Sequence, residues 1–243
     1  MIRTYFSFFR MRFLALLQYR AAAAAGAMTN WAFGMMRVMV MCAFYASANR
    51  GQPLSLEQSI TYIWLGQMLL GILPWNLDKD ISNSVITGQV AYELTRPIDI
   101  YSMWFMRTLA YRMLLPTAAS LGAFAIALAG AVILSVSITS LAHAYVLLIQ
   151  RVDGLTRMTN ALSELLSGMI IPLALMPDFM AFFLRWQPFA GVIDLPAQLY
   201  CGSMAPGQVW SVLAMQLIWA AVFIAAGKAL TNYGLRRTVL AGG

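Results

Sequence analysis

The feature that most constrains this chain is an apolar stretch from Met113 to Gln150, which contains no Asp, Glu, Lys or Arg. A membrane-crossing helix needs about 20 apolar residues, so this stretch alone is long enough for two crossings. The rest of the chain agrees, because 61% of its residues are hydrophobic and only 10% are charged. A soluble domain of this size carries far more charge on its surface. The sequence therefore predicts an all-α integral membrane protein.

Turn and charge signals divide the chain, as one domain of residues 1–243, into six predicted transmembrane helices. Their predicted bounds are 28–48, 58–77, 102–127, 131–150, 158–176 and 209–231. We place the reversal between the third and fourth helices around Gly130. Prolines recur through residues 177–206, so we expect an extracellular segment of short or re-entrant helices between helices 5 and 6.

Residues 1–20 are predicted to form an amphipathic helix that lies in the membrane surface. The apolar residues of its buried face recur at helical spacing and are Ile2, Tyr5, Phe6, Phe9, Phe13, Leu16 and Leu17. Arg3 and Arg10 occupy the opposite face, where an arginine pairs with lipid phosphate. The alternative is that these residues are simply the cytosolic start of the first membrane helix.

The net charge of +7 comes from basic residues that lie beside apolar stretches. This pattern is typical of orientation signals in membrane loops and argues against nucleic-acid binding. With six helices, one side of the membrane holds Arg3, Arg10, Arg12, Arg20, Lys79, Arg96, Arg151, Arg157, Arg236 and Arg237. The opposite side holds Arg50 and Arg185. By the positive-inside rule, both termini are predicted to be cytosolic.

The sequence shows no set of residues typical of enzyme chemistry. It contains no GxxxxGK[ST], HExxH or GxSxG motif, and no paired carboxylates in a plausible cleft. Cys42, Cys201 and His143 are too far apart in sequence for a usual metal site. We therefore expect no catalytic residue, metal or cofactor in this chain, and any ATP and Mg²⁺ would be bound by a separate subunit.

The predicted cytosolic segment 78–99 is the most charged part of the chain. Its residues Ile81, Val85, Ile86 and Val90 have helical spacing, and Asp78 suits a helix amino terminus. We expect a short helix that lies along the membrane and offers its polar side to a partner; the alternative is a solvated loop that contacts nothing. The residues assigned to coupling are Asp78, Lys79, Asp80, Glu93, Arg96 and Pro97.

Polar residues within the predicted membrane helices are the second group of candidates. The residues expected to line a translocation path or a helix contact are Arg37, Gln67, Asn160, Ser163, Glu164 and Ser167. Polar and small residues on an apolar helix avoid lipid and seek another helix or water. Arg37 either pairs internally, for example with Glu164, or reaches the membrane surface. His143 is expected to be a hydrogen-bonded packing residue.

Two stretches of the chain resemble the type-2 ABC exporter permeases, and most closely the subgroup often encoded in pairs. The first, Gly88–Ile98, is similar to the cytosolic "G…L-x-R-P-I" segment of that subgroup. The second, Leu166–Leu173, resembles the family's fifth helix and is followed by the prolines and Gly202 of a re-entrant external segment. The short third–fourth hairpin departs from the family pattern.

The resemblance implies a dimer of permeases, identical or homologous, bound to two cytosolic ABC ATPase subunits in the bacterial cytoplasmic (inner) membrane. Segment 78–99 would couple to the ATPase, and the first, second and fifth helices would line the path. The implied activity is export of an amphiphilic drug, natural product, peptide or lipid-linked substrate. The alternative is an ion-coupled secondary transporter or channel that uses Glu164, Arg37 and His143. A membrane enzyme acting on lipid is a third class, without a matching set of residues.

Overall fold

The computed structural model describes residues 7, 9–11, 14, 20–47, 52–74, 78–95, 99–112, 122–149 and 153–237. These residues form helices and turns, with no strand among them, which confirms the predicted all-helical fold class. The α-helices in chain order are α1 (Arg20–Ser47), α2 (Leu56–Met68), α3 (Lys79–Ile86), α4 (Val90–Leu94), α5 (Ile100–Arg112), α6 (Gly122–Ile149), α7 (Asp153–Leu166), α8 (Asp178–Trp186), α9 (Asp194–Cys201) and α10 (Val209–Arg237). Short 3-10 helices lie at Leu70–Ile72, Leu173–Leu175, Pro188–Gly191 and Pro206–Gln208.

The most extensive helix contact joins α6 to α10. It is close because glycines lie at the crossing points: a methyl group at Gly130 of α6 would collide with the Gln216 side chain of α10. A methyl group at Gly234 of α10 would lie 3.3 Å from Cβ of Leu147 in α6. The Gln216 Nε2 group donates to the Ala127 carbonyl at 2.9 Å, which fixes the relative position of the two helices.

The reversal predicted around Gly130 is wrong. Gly130 lies in the middle of α6, which is continuous from Gly122 to Ile149, so the predicted helices 102–127 and 131–150 do not have those bounds. The glycine in this apolar stretch provides space for α10 rather than a turn. The helix before it, α5, is described as far as Arg112.

The fifth predicted helix, 158–176, is also not continuous. Its helical part begins earlier, at Asp153, and ends at Leu166. Gly168 then adopts a left-handed backbone conformation with φ 76°, which other residues rarely adopt and which turns the chain out of the helix. A 3-10 helix at Leu173–Leu175 follows.

Two helices in the described part of the chain are long and apolar enough to cross a membrane, judged by length and composition. They are Ala123–Ile149 and Pro206–Leu235. In contrast, α2 has 13 residues, fewer than the roughly 20 that a straight crossing needs, and α5 and α7 are described over 13 and 14 residues. Six crossings therefore stay a prediction.

The segment predicted to be irregular, 177–206, does consist of short helices, α8 and α9, joined by 3-10 turns. Of the predicted interfacial helix 1–20, the structure describes residues 7, 9–11, 14 and 20, and each of them is helical. Whether either element enters the membrane stays a prediction.

We expect Gly130→Ala to destabilise the contact between α6 and α10. Its added methyl group would collide with Gln216, and overpacking of a close contact costs about 1–3 kcal/mol. The measurement is the thermal unfolding midpoint of the purified protein in detergent.

Gly26→Ala is the matched control, because nothing lies within 4 Å of a methyl group added at that position of α1. Alanine favours a helix by up to about 1 kcal/mol over glycine, so this midpoint should stay the same or rise. A Gly130→Ala midpoint equal to that of Gly26→Ala would contradict the close packing described above.

Candidate functional site

The segment predicted to couple to a partner is folded against the rest of the molecule. Asp78 caps α3, because its Oδ1 atom accepts a hydrogen bond of 2.9 Å from the Asp80 backbone N–H. The Asp78 backbone N–H in turn donates to Nε2 of His143 at 2.9 Å. His143 is completely buried in α6, which confirms that it is a hydrogen-bonded packing residue.

The apolar side of the segment is buried, as its spacing predicts. Ile81 and Val85 of α3 and Val90 of α4 pack into one cluster, while Ile86 stays 49% exposed. The other members of this cluster come from α5 and α6 and are Ile100, Met103, Trp104, Ala142, Val146 and Leu147. The alternative of a solvated loop that contacts nothing is therefore wrong.

Arg107 of α5 joins both ends of this segment. Its Nη2 atom lies 3.6 Å from Oδ2 of Asp78 and 3.6 Å from Oδ2 of Asp80, next to the start of α3. Its Nη1 atom lies 3.8 Å from Oε1 of Glu93 in α4. Gly88, with φ 74°, forms the turn that allows α4 to fold back and bring Glu93 to the same guanidinium as Asp78.

Trp104 adds a hydrogen bond from an uncharged donor to these ionic contacts. Its indole Nε1 donates to Oε2 of Glu93 at 3.0 Å, and its completely buried ring contacts the His143 ring edge-on with centroids 6.5 Å apart. We call Asp78, Asp80, Glu93, Trp104, Arg107 and His143 the Arg107 cluster. Among the described residues, no group of three His, Cys, Asp or Glu is arranged to hold a metal ion.

The predicted coupling residues are thus not equivalent in the structure. Asp78 and Glu93 each expose 18% of their side chain and face Arg107, whereas Asp80 exposes 61% of its side chain. Lys79 begins α3; Arg96 and Pro97 lie outside the described residues. The exposed surface of the segment is instead mainly uncharged and consists of Asn83, Ile86, Thr87, Gln89, Tyr92, Leu94 and Thr95.

Of the second predicted group, the structure places Glu164 and Gln67 near Arg37 of α1. The Arg37 Nη1 atom donates to the Met169 carbonyl at 3.2 Å, and Glu164 is near enough to attract its charge. Gln67 of α2 packs against α1 about one helical turn from Arg37, since its Cγ would be 3.2 Å from a methyl group at Gly34. We call Arg37, Gln67, Asn160, Ser163, Glu164 and Ser167 the Arg37 group.

In three members of the Arg37 group, one buried side-chain polar atom has no hydrogen-bond partner among the described residues. These atoms are Nε2 of Gln67, Oγ of Ser163 and Oγ of Ser167. Asn160 and Glu164 are half-buried. Buried polar groups in proteins nearly always have partners. Three polar atoms with no partner in the described part of the chain are therefore unusual for a helix contact that is simply packed.

Asp194 forms a third polar cluster that the sequence analysis does not single out. It is completely buried at the start of α9, and its Oδ1 atom accepts from the Tyr62 hydroxyl at 2.7 Å and from the Leu173 backbone N–H at 3.1 Å. Its Oδ2 atom accepts from Nε2 of Gln198 at 2.6 Å. The Tyr62 hydroxyl also donates to the Gly168 carbonyl at 3.1 Å. Asp194 therefore ties α2, the end of the fifth predicted helix and α9 together.

Burial raises the pKa of the Asp194 carboxyl to about 6, although hydrogen bonds from Tyr62, Leu173 and Gln198 favour the charged form. Gly168 is required beside it, because a methyl group there would collide with the Tyr62 hydroxyl and lie 3.0 Å from Oδ1 of Asp194. The close approach and the left-handed backbone both explain a glycine at this position.

Sequence reasoning missed Arg107, Tyr62 and Asp194. The available signal for Arg107 and Asp194 was a charged residue in an apolar surrounding: Arg107 within a predicted membrane helix, and Asp194 within the stretch Gly191–Tyr200. Such residues mark functional or structural contacts by default. Tyr62 carries no signal of its own, because a tyrosine in an apolar helix is common.

Comparison with protein-family models finds a match to the model described as ABC-2 family transporter protein, over residues 113–242. The match covers more than half of the chain and includes α6 to α10. Comparisons with curated proteins and with solved structures find no match.

We expect Asp194→Asn to gain stability relative to the unchanged protein as the pH rises from 4 to 7. The carboxyl pKa is near 3.9 in an unfolded chain and about 6 in the structure. The folded protein therefore binds more protons than the unfolded one between these values, and stability falls as the pH rises.

The measurement is the difference between the two thermal midpoints at pH 4, 5, 6 and 7. Glu57→Gln is the control, because it removes one exposed carboxyl and leaves the buried Asp194 in place. If Asp194→Asn loses stability relative to the unchanged protein over this range, the three donors outweigh burial and the direction given for this carboxyl is wrong.

Proposed function

The chain belongs to the ABC-2 family of transporter membrane subunits, and from that premise we propose that it is the permease half of an ATP-driven exporter. A member of this family is a membrane protein whose ATPase activity resides in a separate chain. The fold of segment 78–95 carries the proposal further, because this segment is fastened to the membrane helices yet keeps an exposed face. Such a segment suits the transfer of movement from an ATPase.

The uncharged face of the segment is the part that meets the ATPase in this proposal. Tyr92 is 77% exposed and Ile86 is 49% exposed, whereas Asp78 and Glu93 face Arg107. Tyrosine is a frequent anchor in protein interfaces because it combines a large apolar surface with a polar end. Glu93 thus acts within the permease, and Tyr92 acts on the partner.

The Arg37 group is the proposed path or helix contact. Buried hydroxyl and amide groups without partners cost about 1–3 kcal/mol each, and Gln67, Ser163 and Ser167 contain three such atoms. This cost is relieved where water, a polar part of a substrate or a second permease reaches these atoms. The Arg37 side chain of α1 binds the Met169 carbonyl, which lies just after the break in the fifth predicted helix. This contact supports the same role.

Six crossings, with both termini in the cytosol, complete the proposed topology. The helical segments α1, α2, α5, α6, α7 and α10 correspond to the six predicted crossings. The outer segment between α7 and α10 is re-entrant in this proposal. Its helix α8 exposes Phe179 by 84%, Phe183 by 67% and Trp186 by 63%, and aromatic side chains at this spacing suit the boundary between lipid and water.

The proposed assembly contains two permeases, identical or homologous, and two ATPase subunits in a bacterial cytoplasmic membrane. Apolar side chains along α1 favour burial in lipid or against a second permease, with Met28, Trp31 and Met39 each more than half exposed. The direction is export, and the substrate is amphiphilic: a drug, a natural product, a peptide or a lipid-linked compound.

The ion-coupled alternative is weaker than the exporter. It requires Glu164, Arg37 and His143 to act together, but His143 belongs to the Arg107 cluster whereas Arg37 bonds to Met169. Membership of the ABC-2 family also favours a separate ATPase.

We expect Tyr92→Ala to weaken the association between the permease and its ATPase. Truncation of an aromatic anchor costs about 2 kcal/mol or more, which corresponds to roughly a thirtyfold loss of affinity. The tagged permease is purified from membranes that contain its ATPase, and bound phosphate-loop ATPase is quantified by mass spectrometry.

Trp210→Ala is the matched control, because Trp210 is similarly exposed, at 66%, but belongs to the predicted external end of α10. It should retain the ATPase at the unchanged level. If no ATPase accompanies the unchanged permease, and a proton gradient alone drives transport, the exporter proposal is wrong and the ion-coupled alternative replaces it.

A further inference from the structure

The attachment of segment 78–95 to the membrane helices depends on two kinds of contact. Apolar side chains of α3 and α4 pack against α5 and α6, and the hydrophobic effect that favours this packing has no preferred direction. The polar contacts are directional: they comprise the ionic contacts of Arg107, the bond from Trp104 to Glu93 and the bond from Asp78 to His143.

Among these polar contacts, Arg107 has a distinct position. His143 holds the beginning of α3 and Trp104 holds α4, but Arg107 lies between Asp78 at the first end and Glu93 at the second. One guanidinium therefore closes the segment onto α5. A flat group with several donors is suited to such a bridge in a way that a lysine ammonium is not.

We propose that Arg107 is a positioning residue for transport, which makes segment 78–95 and the adjoining ends of α5 and α6 move as one body when the ATPase moves. This inference rests on the proposed function. Movement received at Tyr92 reaches the membrane helices through the Glu93–Arg107 and Asp78–Arg107 contacts. The movement then passes from α5 to α6, which pack against each other, and from α6 to α10 through their extensive contact.

The charges around Arg107 explain why its loss would weaken the coupling of movement and leave the segment folded. Three carboxylates surround its guanidinium, so the uncharged Arg107→Gln variant would leave Asp78, Asp80 and Glu93 to repel one another. The apolar cluster would still hold α3 and α4 in place, because none of its side chains changes. We therefore expect a segment that remains folded and binds the ATPase but follows its movement poorly.

The test reads coupling without a known substrate. The two free cysteines, Cys42 and Cys201, are replaced by serine, and Gly207→Cys is introduced before α10, where nothing lies within 4 Å of a methyl group at that position. The permease is assembled with its ATPase in lipid vesicles. The rate at which a maleimide modifies residue 207 is then measured with and without ATP, together with ATP hydrolysis.

We expect ATP to change the modification rate in the unchanged background and to lose this effect in Arg107→Gln, while ATP hydrolysis and ATPase binding are retained. Arg107→Lys keeps the charge but lacks the guanidinium fork, so it should retain part of the effect. Arg157→Gln is the matched control: Arg157 is exposed on α7, and its variant should respond to ATP as the unchanged background does.

A full ATP response in Arg107→Gln would overturn the inference. If that variant does not assemble, Glu93→Gln decides by the same readout, because its amide oxygen still accepts from Trp104 while the ionic contact with Arg107 is lost. A full response in Glu93→Gln would then overturn the inference, and a reduced response would support it. If the unchanged background itself binds no ATPase, the proposed function fails instead, so the two failures are distinguishable.

Discussion

The contact between Arg107 and the carboxylates of Asp78, Asp80 and Glu93 is the interaction on which the function of this fold depends. Without it, segment 78–95 would be held by apolar packing and by the hydrogen bonds to Trp104 and His143. Arg107 reaches both ends of this segment, at nitrogen–oxygen distances of 3.6 to 3.8 Å. All four side chains would be costly to bury alone, but together they form a partly buried ionic cluster in which each charge has an opposite charge nearby.

The Asp194 cluster plays the corresponding part in another region of the molecule. Asp194 is completely buried and joins α2, α9 and the chain after α7 through three donors. Between the two clusters, the glycines of α6 and α10 allow a close helix contact. The fold therefore combines rigid apolar packing along α6 and α10 with polar connections to the shorter elements. In our proposal, movement of the ATPase acts on the Arg107 cluster, and the outer segment follows through the Asp194 cluster.

The sequence was sufficient for the features that repeat along one helix. It predicted the helical class, the start of α3 at Asp78 and the burial of Ile81 and Val85, because each depends on local spacing or on a single capping residue. It was also sufficient for the short helices of 177–206, since prolines interrupt long helices wherever they occur.

The sequence was insufficient where contacts between distant residues decide the structure. Gly130 suggested a turn, yet it allows Gln216 of α10 to approach, a partner far along the chain. Gly168 lies within the predicted helix 158–176, but it adopts a left-handed conformation beside Tyr62 and Asp194, which leave no space for a side chain. The roles of Arg107 and Asp194 likewise arise from partners that no local pattern connects to them.

The sidedness of segment 78–95 is the most direct test of the central claim that a separate ATPase drives this permease from the cytosol. A single cysteine at Tyr92, in a background without Cys42 and Cys201, is exposed to a maleimide that does not cross membranes. The expected result is protection in intact cells and rapid modification in inverted membrane vesicles. Rapid modification of residue 92 in intact cells would place the segment outside and contradict the claim.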